Sequence, residues 1–316
     1  MAYNIKAYWY NMLLHMLQES ITLFMVILWS HNYSFLRLSN IQRNYLASYG
    51  HRYLNIQHFL SSLPQSALKG EAVSLPDNVI RNIFRFARLR STDVFYHLGC
   101  GTNNTLRLAA TEFNVKKSIG IEIRKSLAAK ARNRVRGIKN AHIFNQDIRK
   151  TKISDATVIL FWFTDVKIIR HMTKRFESEL ADGARIITIW SPLELMIPAK
   201  VEFPFFVCKK PFRYATSLSE QINAIYGTAC IDFTASWLLS EKYINALEVV
   251  QSKHIRFLTM LHSMIIWINA WNSGVACEKE VPPPVTTYIG ILKTFFNIDL
   301  STMIKAGGSH TPDQDT

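Results

Sequence analysis

A chain of 316 residues with 48% hydrophobic and 19% charged side chains holds enough apolar material for one large or two ordinary folded domains, which excludes a wholly disordered or fibrous polymer. Its formal charge of +14 is uneven: residues 1–92 carry nine Lys/Arg against three Asp/Glu, residues 93–200 nineteen against ten, and residues 201–316 nine against ten. The excess therefore belongs to the first two thirds and implies an acidic partner for that part of the chain.

In chain order, Leu13, Leu17, Ile21, Phe24 and Leu28 recur at three- and four-residue intervals and predict an amphipathic helix over residues 8–29. Asn11, His15, Gln18 and Glu19 interrupt it, whereas a spanning helix needs about 20 mostly apolar residues. Lys6 is the only charge ahead of the run and no small-residue cleavage site follows, so a signal peptide fits poorly. The expectation is packing on the protein or on a partner, with peripheral membrane contact as the alternative.

Ser74-Leu-Pro-Asp77 opens an expected helix, Asn78 to Leu89, with Ile80, Ile83, Phe84 and Ala87 inward and Arg81, Arg85, Arg88 and Arg90 solvated. Apolar strands then alternate with amphipathic helices. The strands are expected at residues 94–98, 118–123, 142–145, 157–163 and 184–190, and the helices at 105–113, 125–135 and 166–180. Near-continuous apolar strands in this rhythm predict a doubly wound α/β unit with a mostly parallel sheet covered on both faces. Residues 201–207 supply one or two further strands. From Leu218 the pattern is helical, with helices expected at 235–249, 253–271 and, after the Pro282-Pro-Pro284 stop, 287–296. The Gly/Ser/Asp-rich tail 306–316 is expected to be disordered. The resulting segments are a helical extension 1–73, the α/β domain 74–213, a helical C-terminal domain 214–305 and the tail.

Cys100, Cys208, Cys230 and Cys277 are too scattered for a zinc pattern or a disulfide framework, so the expectation is reduced thiols in a cytoplasmic protein and no metal site. In the C-terminal part, Trp237, Trp267 and Trp271 are candidates for a partner groove or, at helical spacing, for core. His254 and His262 belong to no motif and are expected to be incidental.

The chemistry concentrates at Val94-Phe-Tyr-His-Leu-Gly-Cys-Gly-Thr-Asn-Asn104. A strand that ends in a Gly-x-Gly turn and runs into a helix lets backbone approach a ligand and presents unpaired N–H groups to it. Glu122 lies 21 residues after Gly101, at the end of the next strand, where a carboxylate can accept hydrogen bonds from ribose hydroxyls. Asp147 follows the third strand. A dinucleotide fingerprint would need a third glycine, and Gly99-Cys-Gly-Thr-Asn-Asn104 has none.

This set resembles the class I (seven-β-strand) S-adenosylmethionine-dependent methyltransferases over about residues 75–205, with their Rossmann-like fold. Within them, Leu75-Pro-Asp, His97-Leu-Gly-Cys-Gly, Ile119-Gly-Ile-Glu-Ile and Gln146-Asp-Ile are similar to the archaeal and mitochondrial protein-lysine methyltransferases, which share a core with the non-SET histone lysine methyltransferase. The resemblance implies a cofactor site with Gly99 and Gly101 at the methionine part, Glu122 on the ribose and Asp147 facing the adenine. It places His97 where an acid usually helps to hold the cofactor's amino group, and Thr102-Asn103 where the family has Asp-Gly. It also implies that Phe161, Trp162 and Phe163 line the substrate channel, where an apolar wall would keep an acceptor lysine neutral. No residue is assigned as a catalytic acid or base.

The implied activity is protein-lysine methylation. The resembled family has an aromatic or aliphatic residue followed by Pro after strand four, where this chain has Thr164-Asp165. Methylation of RNA or DNA is the alternative, weakened because no Asn/Asp-Pro-Pro-Tyr/Phe signature follows strand four, and a cofactor-binding scaffold without turnover is the non-enzyme alternative. Residues 116–152 hold twelve Lys/Arg and two acids. Such a stretch suits a protein substrate with an acidic surface, or a nucleic acid, and is otherwise a solvated face.

Overall fold

The protein is represented by a computed structural model that describes residues 74–248, 254–296 and 298–305. The expected helix at 8–29, the extension 1–73 and the tail 306–316 lie outside these residues.

The sheet is built from β1 (Val94–Leu98), β2 (Lys117–Glu122), β3 (Ala141–Asn145), β4 (Val158–Phe161), β5 (Arg185–Ile189), β7 (Lys200–Glu202) and β8 (Phe205–Lys209). Their order is β3-β2-β1-β4-β5-β8-β7. The first five run parallel, and β8 is antiparallel to both β5 and β7. A two-stranded ribbon pairs β6 (Met196–Ile197) with β9 (Arg213–Tyr214). All five residues of β1 are buried, as a central strand covered on both faces requires. The chain leaves β1 first to β2 on one side and later to β4 on the other. That reversal opens a crevice beyond the carboxyl ends of the strands, which is where ligands bind in open α/β sheets.

Helices α1 (Asp77–Phe86), α2 (Thr105–Thr111), α3 (Lys125–Arg134) and α4 (Val166–Glu179) flank the sheet. Phe84, Phe95, Leu106, Ala128 and Leu160 form one apolar layer, and Tyr96, Leu98, Ile159, Met172 and Phe176 form the other. Alternate residues of β1 thus serve opposite faces. Gly120 sets how closely α2 packs on β2. A β-carbon there would collide with Leu106 Cδ1 and come within 2.9 Å of Cys100 Sγ and Ile143 Cδ1.

At the amino end of the sheet, Asp93 gathers three donors: Arg90 N at 2.7 Å, Thr157 Oγ1 at 2.8 Å and Arg185 Nη2 at 2.6 Å. Arg185 also donates to the carbonyls of Ala87 and Arg88. One buried ion pair therefore ties the end of α1 to the starts of β1, β4 and β5. Arg81 stays at the surface as expected and there makes a two-pronged pair with Glu112 at 2.7 and 2.9 Å, because α1 and α2 lie side by side.

The C-terminal part comprises α5 (Leu218–Tyr226), α6 (Phe233–Leu247), α7 (Ile255–Asn272) and α8 (Pro283–Phe296). The last helix begins four residues before the expected Thr287. Proline is well suited to a first helical turn, where its missing N–H costs nothing. Trp267 and Trp271 are core rather than groove: they are buried, stack at 5.2 Å and donate to Glu278 and the Lys305 carbonyl. Trp237 is half-buried and donates to Glu241. His254 is buried and His262 lies against Trp190 and Tyr243, so both belong to the packing.

The expectation of four reduced thiols is corrected: Cys230 and Cys277 form a disulfide across 47 residues. A short backbone bridge at Ile231 and Ala276, with Ile231 N donating to the Val275 carbonyl and Cys277 N to the Ile231 carbonyl, brings their Cα atoms to 5.0 Å. That distance is within disulfide reach. Cys100 and Cys208 are free, and burial pushes both thiols up to about 12, which leaves them unreactive. Among the described residues, no helix is long and apolar enough to cross a membrane and no cluster could hold a metal ion.

Two substitutions test this framework. Gly120→Ala overpacks the α2–β2 contact and is expected to cost about 1–3 kcal/mol in chemical unfolding. Asp93→Ala leaves Arg185 buried without its counter-ion and is expected to cost about 3–5 kcal/mol in the same measurement.

Candidate active site

The crevice at the carboxyl end of β1 begins with a turn that only glycine adopts easily, with φ of +73° at Gly99 and +53° at Gly101. Gly99 N and Cys100 N both donate to the Ile121 carbonyl, at 2.8 and 3.0 Å, which hangs the turn on β2. The last residue of β2 is Glu122, 4% exposed. Its Oε2 accepts from Gly101 N at 3.0 Å and its Oε1 from Arg124 N at 2.8 Å, with Arg124 Nε 3.5 Å away. Each carboxylate oxygen keeps acceptor capacity beyond these bonds. Two oxygens held side by side in this way suit the paired hydroxyls of a ribose.

Thr102 and Asn103 act as a clamp. Asn103 Oδ1 accepts from Leu75 N at 3.0 Å, and the Arg134 guanidinium donates to the Thr102 carbonyl. Asn104 Nδ2 donates to Asp77 Oδ1 at 2.8 Å, and Arg107 to Asp77 Oδ2 at 2.7 Å. The glycine turn is thus gripped from the start of α1 on one side and from α3 on the other. In the linear sequence Asp77 signalled a helix start and part of the Leu75-Pro-Asp motif, and Arg134 was one cation of the basic segment; neither pointed to the glycine turn.

His97 is buried and shares a 2.7 Å hydrogen bond between Nδ1 and Thr105 Oγ1. Burial pushes the imidazole down to about 3, so it is neutral at physiological pH. A neutral ring sets no positive charge against a cationic ligand. Asp147 caps the 3-10 turn Ile148–Lys150 by accepting from Arg149 N at 2.9 Å. The Arg149 guanidinium beside it, at 2.6 Å, holds its carboxyl below the usual range. No hydrogen bond joins Asp147 to Glu122 or to the turn among the described residues.

The three aromatic residues at the end of β4 separate. Phe161 is a buried strand residue that stacks on Phe163 at 4.9 Å and meets Phe176 edge-on at 5.3 Å. Trp162 packs into the opposite layer. Phe163 faces the glycine turn, since a β-carbon on Gly99 would lie 2.6 Å from its Cζ. Sequence reasoning did not single out Ile123 and Phe144, which are 63% and 49% exposed at the ends of β2 and β3. A large apolar residue directly after the strand-end acid was the available signal for Ile123. Both leave apolar surface exposed at the carboxyl end of the sheet.

These features fit a cofactor with a ribose, an adenine and a cationic centre. Gly101 faces open space, with only Asn103 Nδ2 at 4.0 Å from where its β-carbon would be. The buried histidine also has a consequence for pH. Below its ordinary value of 6.5 the unfolded chain takes up a proton that folded His97 refuses until about pH 3. Stability should therefore fall as pH drops through that window, by an amount on the order of a few kcal/mol. Urea unfolding of wild type and His97→Gln across these pH values checks this, the variant being expected to show the shallower acid decline.

The family model of the histone methylation protein DOT1 matches residues 65–195. A protein-lysine N-methyltransferase from Saccharolobus islandicus (strain REY15A) is 33% identical over 136 residues, which is 39% of this chain and 82% of that protein. Among solved structures, an RNA methyltransferase from Salinibacter ruber in complex with S-adenosyl-L-homocysteine aligns with a TM-score of 0.42 at 22% identity, over 46% of this chain and 99% of that one. A dimethyladenosine transferase from Plasmodium falciparum aligns with a TM-score of 0.31 at 20% identity, over 37% and 41% of the two chains. On the strength of the archaeal match, the chain belongs to that protein's family and is a class I S-adenosylmethionine-dependent methyltransferase.

Proposed function

We propose that the chain transfers the methyl group of S-adenosylmethionine to the side-chain amine of a lysine in a protein substrate. The observation that carries this reading is the 33% identity to a protein-lysine N-methyltransferase over a stretch that covers most of that protein. Bound S-adenosylmethionine supplies a methyl group on a sulfonium. The chain's own residues hold, orient and exclude water.

In this reading Glu122 accepts from the ribose hydroxyls. Gly101 and Gly99 give close backbone approach to the methionine part, and Ile123 and Phe144 support the adenine. Asp147 faces the exocyclic amine, and His97 holds the base of the turn as a neutral group. Residues 74–213 are the cofactor domain and residues 214–305 a helical domain beside it. Phe163 is the aromatic wall nearest the transfer point, with Phe161 behind it. An acceptor lysine must lose its proton before it can attack, and desolvation against such a wall favours the neutral amine.

The basic segment supports a partner with an acidic surface. Its two acids, Glu122 and Asp147, are already paired with Arg124 and Arg149. Lys116, Lys117, Lys130, Arg136, Lys139 and Lys152 are exposed. Acidic protein is favoured here over nucleic acid because of the relative's substrate class.

Calorimetric titration with S-adenosyl-L-homocysteine tests the cofactor site. Wild type is expected to bind, and Glu122→Gln, which replaces a charged acceptor, to bind about tenfold or more weakly. Absence of heat in the wild type at millimolar ligand sinks the reading. Transfer of labelled methyl groups to protein and RNA fractions then decides the substrate, with label on lysine expected and label on RNA alone overturning the protein assignment.

A further inference from the structure

Beyond the carboxyl ends of β4 and β5 lies a cavity of about 560 Å³ that no part of the cofactor site uses. Its near wall is Val166 and Ile169, from the first turn of α4, which begins three residues after Phe163. Trp190, the residue after β5, forms a second wall, and α5 and α7 close the far side through Ile222 and Ile266. We infer that this cavity is a specificity pocket that receives a bulky apolar side chain of the protein substrate, at a set distance along the polypeptide from the acceptor lysine. The inference rests on the lysine reading above and adds to it which residues of a substrate are selected.

Three observations carry it. The first is position. Phe163 stands at the glycine turn and Val166, three residues further along the chain, stands in the cavity wall, so one polypeptide crossing the ends of β4 and β5 can meet both. The second is that the cavity is held open by rigid parts. Trp190 has a φ of +83°, a left-handed conformation that costs a non-glycine residue energy, and its N–H donates to the Pro204 carbonyl at 2.8 Å. Its ring sits edge-on to Tyr243 at 4.5 Å and to His262 at 5.8 Å. Strained residues fixed by their surroundings recur at ligand clamps. Ile231 and Val275 in the opposite wall are joined backbone to backbone beside the Cys230–Cys277 disulfide.

The third observation is chemistry. The wall is mainly aliphatic and aromatic, as a ligand pocket of this size requires, and polar groups are confined to a few positions. Arg170 and Glu194, paired at 3.1 Å and well exposed, stand among the lining residues. Gln221 is buried, but its amide is committed to the carbonyls of Leu193 and Met196 at 2.8 Å. What remains inside favours an apolar group. An exposed ion pair and the exposed Asn269, also in the lining, suit the polar backbone that would carry that group. A free apolar small molecule would leave those polar groups without use.

The test uses the full chain and S-adenosylmethionine with a set of serine-rich peptides. Each has one lysine, and a single phenylalanine is walked outward from it on either side. Wild type is expected to show a maximum in kcat/KM at one spacing, about tenfold above the peptide without phenylalanine and expressed mainly in KM. Ser273→Trp and Ile225→Trp, which add bulk at the pocket's edge from an exposed and a half-buried position, are expected to abolish that maximum. Both should still bind S-adenosyl-L-homocysteine as wild type does, which shows that they fold. A flat profile in wild type overturns the pocket assignment, as does a maximum that survives in both cofactor-binding variants. Transfer to none of the peptides by cofactor-binding wild type overturns the lysine reading itself, and the pocket falls with it.

Discussion

The structure turns on one buried carboxylate. Glu122 sits at the end of β2 with almost no solvent, and an anion there is tolerable only if donors surround it. Two backbone N–H groups do so, one from the strand's own continuation at Arg124 and one from the glycine turn at Gly101. The second bond fixes the turn relative to β2, and the turn in turn fixes where α2 starts. A demand for satisfied charge thereby becomes the shape of the crevice. Any group that brings further donors to Glu122 meets an acceptor already aligned by the fold.

The two ends of the sheet divide the work. At the amino end, Asp93 and Arg185 bind α1, β1, β4 and β5 together with contacts that have no opening toward a ligand. At the carboxyl end, the polar groups of Glu122 and Asp147 retain acceptor capacity, and apolar side chains such as Ile123 are exposed. The first pattern lowers the energy of the folded chain. The second leaves surface and hydrogen-bonding capacity unspent, as a binding site must. Class I topology places these ends about one strand length apart, so a rigid base can support a crevice without occupying it.

Much of the α/β core was legible because its signals are local. Five apolar runs, each followed by a turn and an amphipathic stretch, specify strands and helices to within a few residues, and the order of the sheet follows from the fold class. Gly101 and Glu122 were also legible, since their spacing places them at adjacent strand ends, and the structure finds them 3.0 Å apart. What stayed hidden depends on partners remote in sequence. Arg185 and Asp93 are 92 residues apart, Asn103 reaches back 28 residues to Leu75, and Cys230 finds Cys277 across 47. Periodicity reports which face of an element is buried, but not which element will cover it. For the same reason Phe161, Trp162 and Phe163 looked equivalent in sequence, although alternation along a strand sends neighbours to opposite faces.

The departures from the family pattern form a consistent set once seen in three dimensions. An acid at position 97 would be buried against α2, where Thr105 is the observed hydrogen-bond partner. Histidine in that place makes its bond as a neutral group, and burial keeps it neutral. The end of β1 therefore carries no charge of its own. Thr102 and Asn103 supply rigidity by accepting from Arg134 and from Leu75 N. Asp77, anchored by Arg107 and Asn104, keeps a carboxylate near the same turn from the α1 side. In this chain the carboxylate that supports the turn from the α1 side is Asp77, and the Gly101–Glu122 tie shapes the crevice.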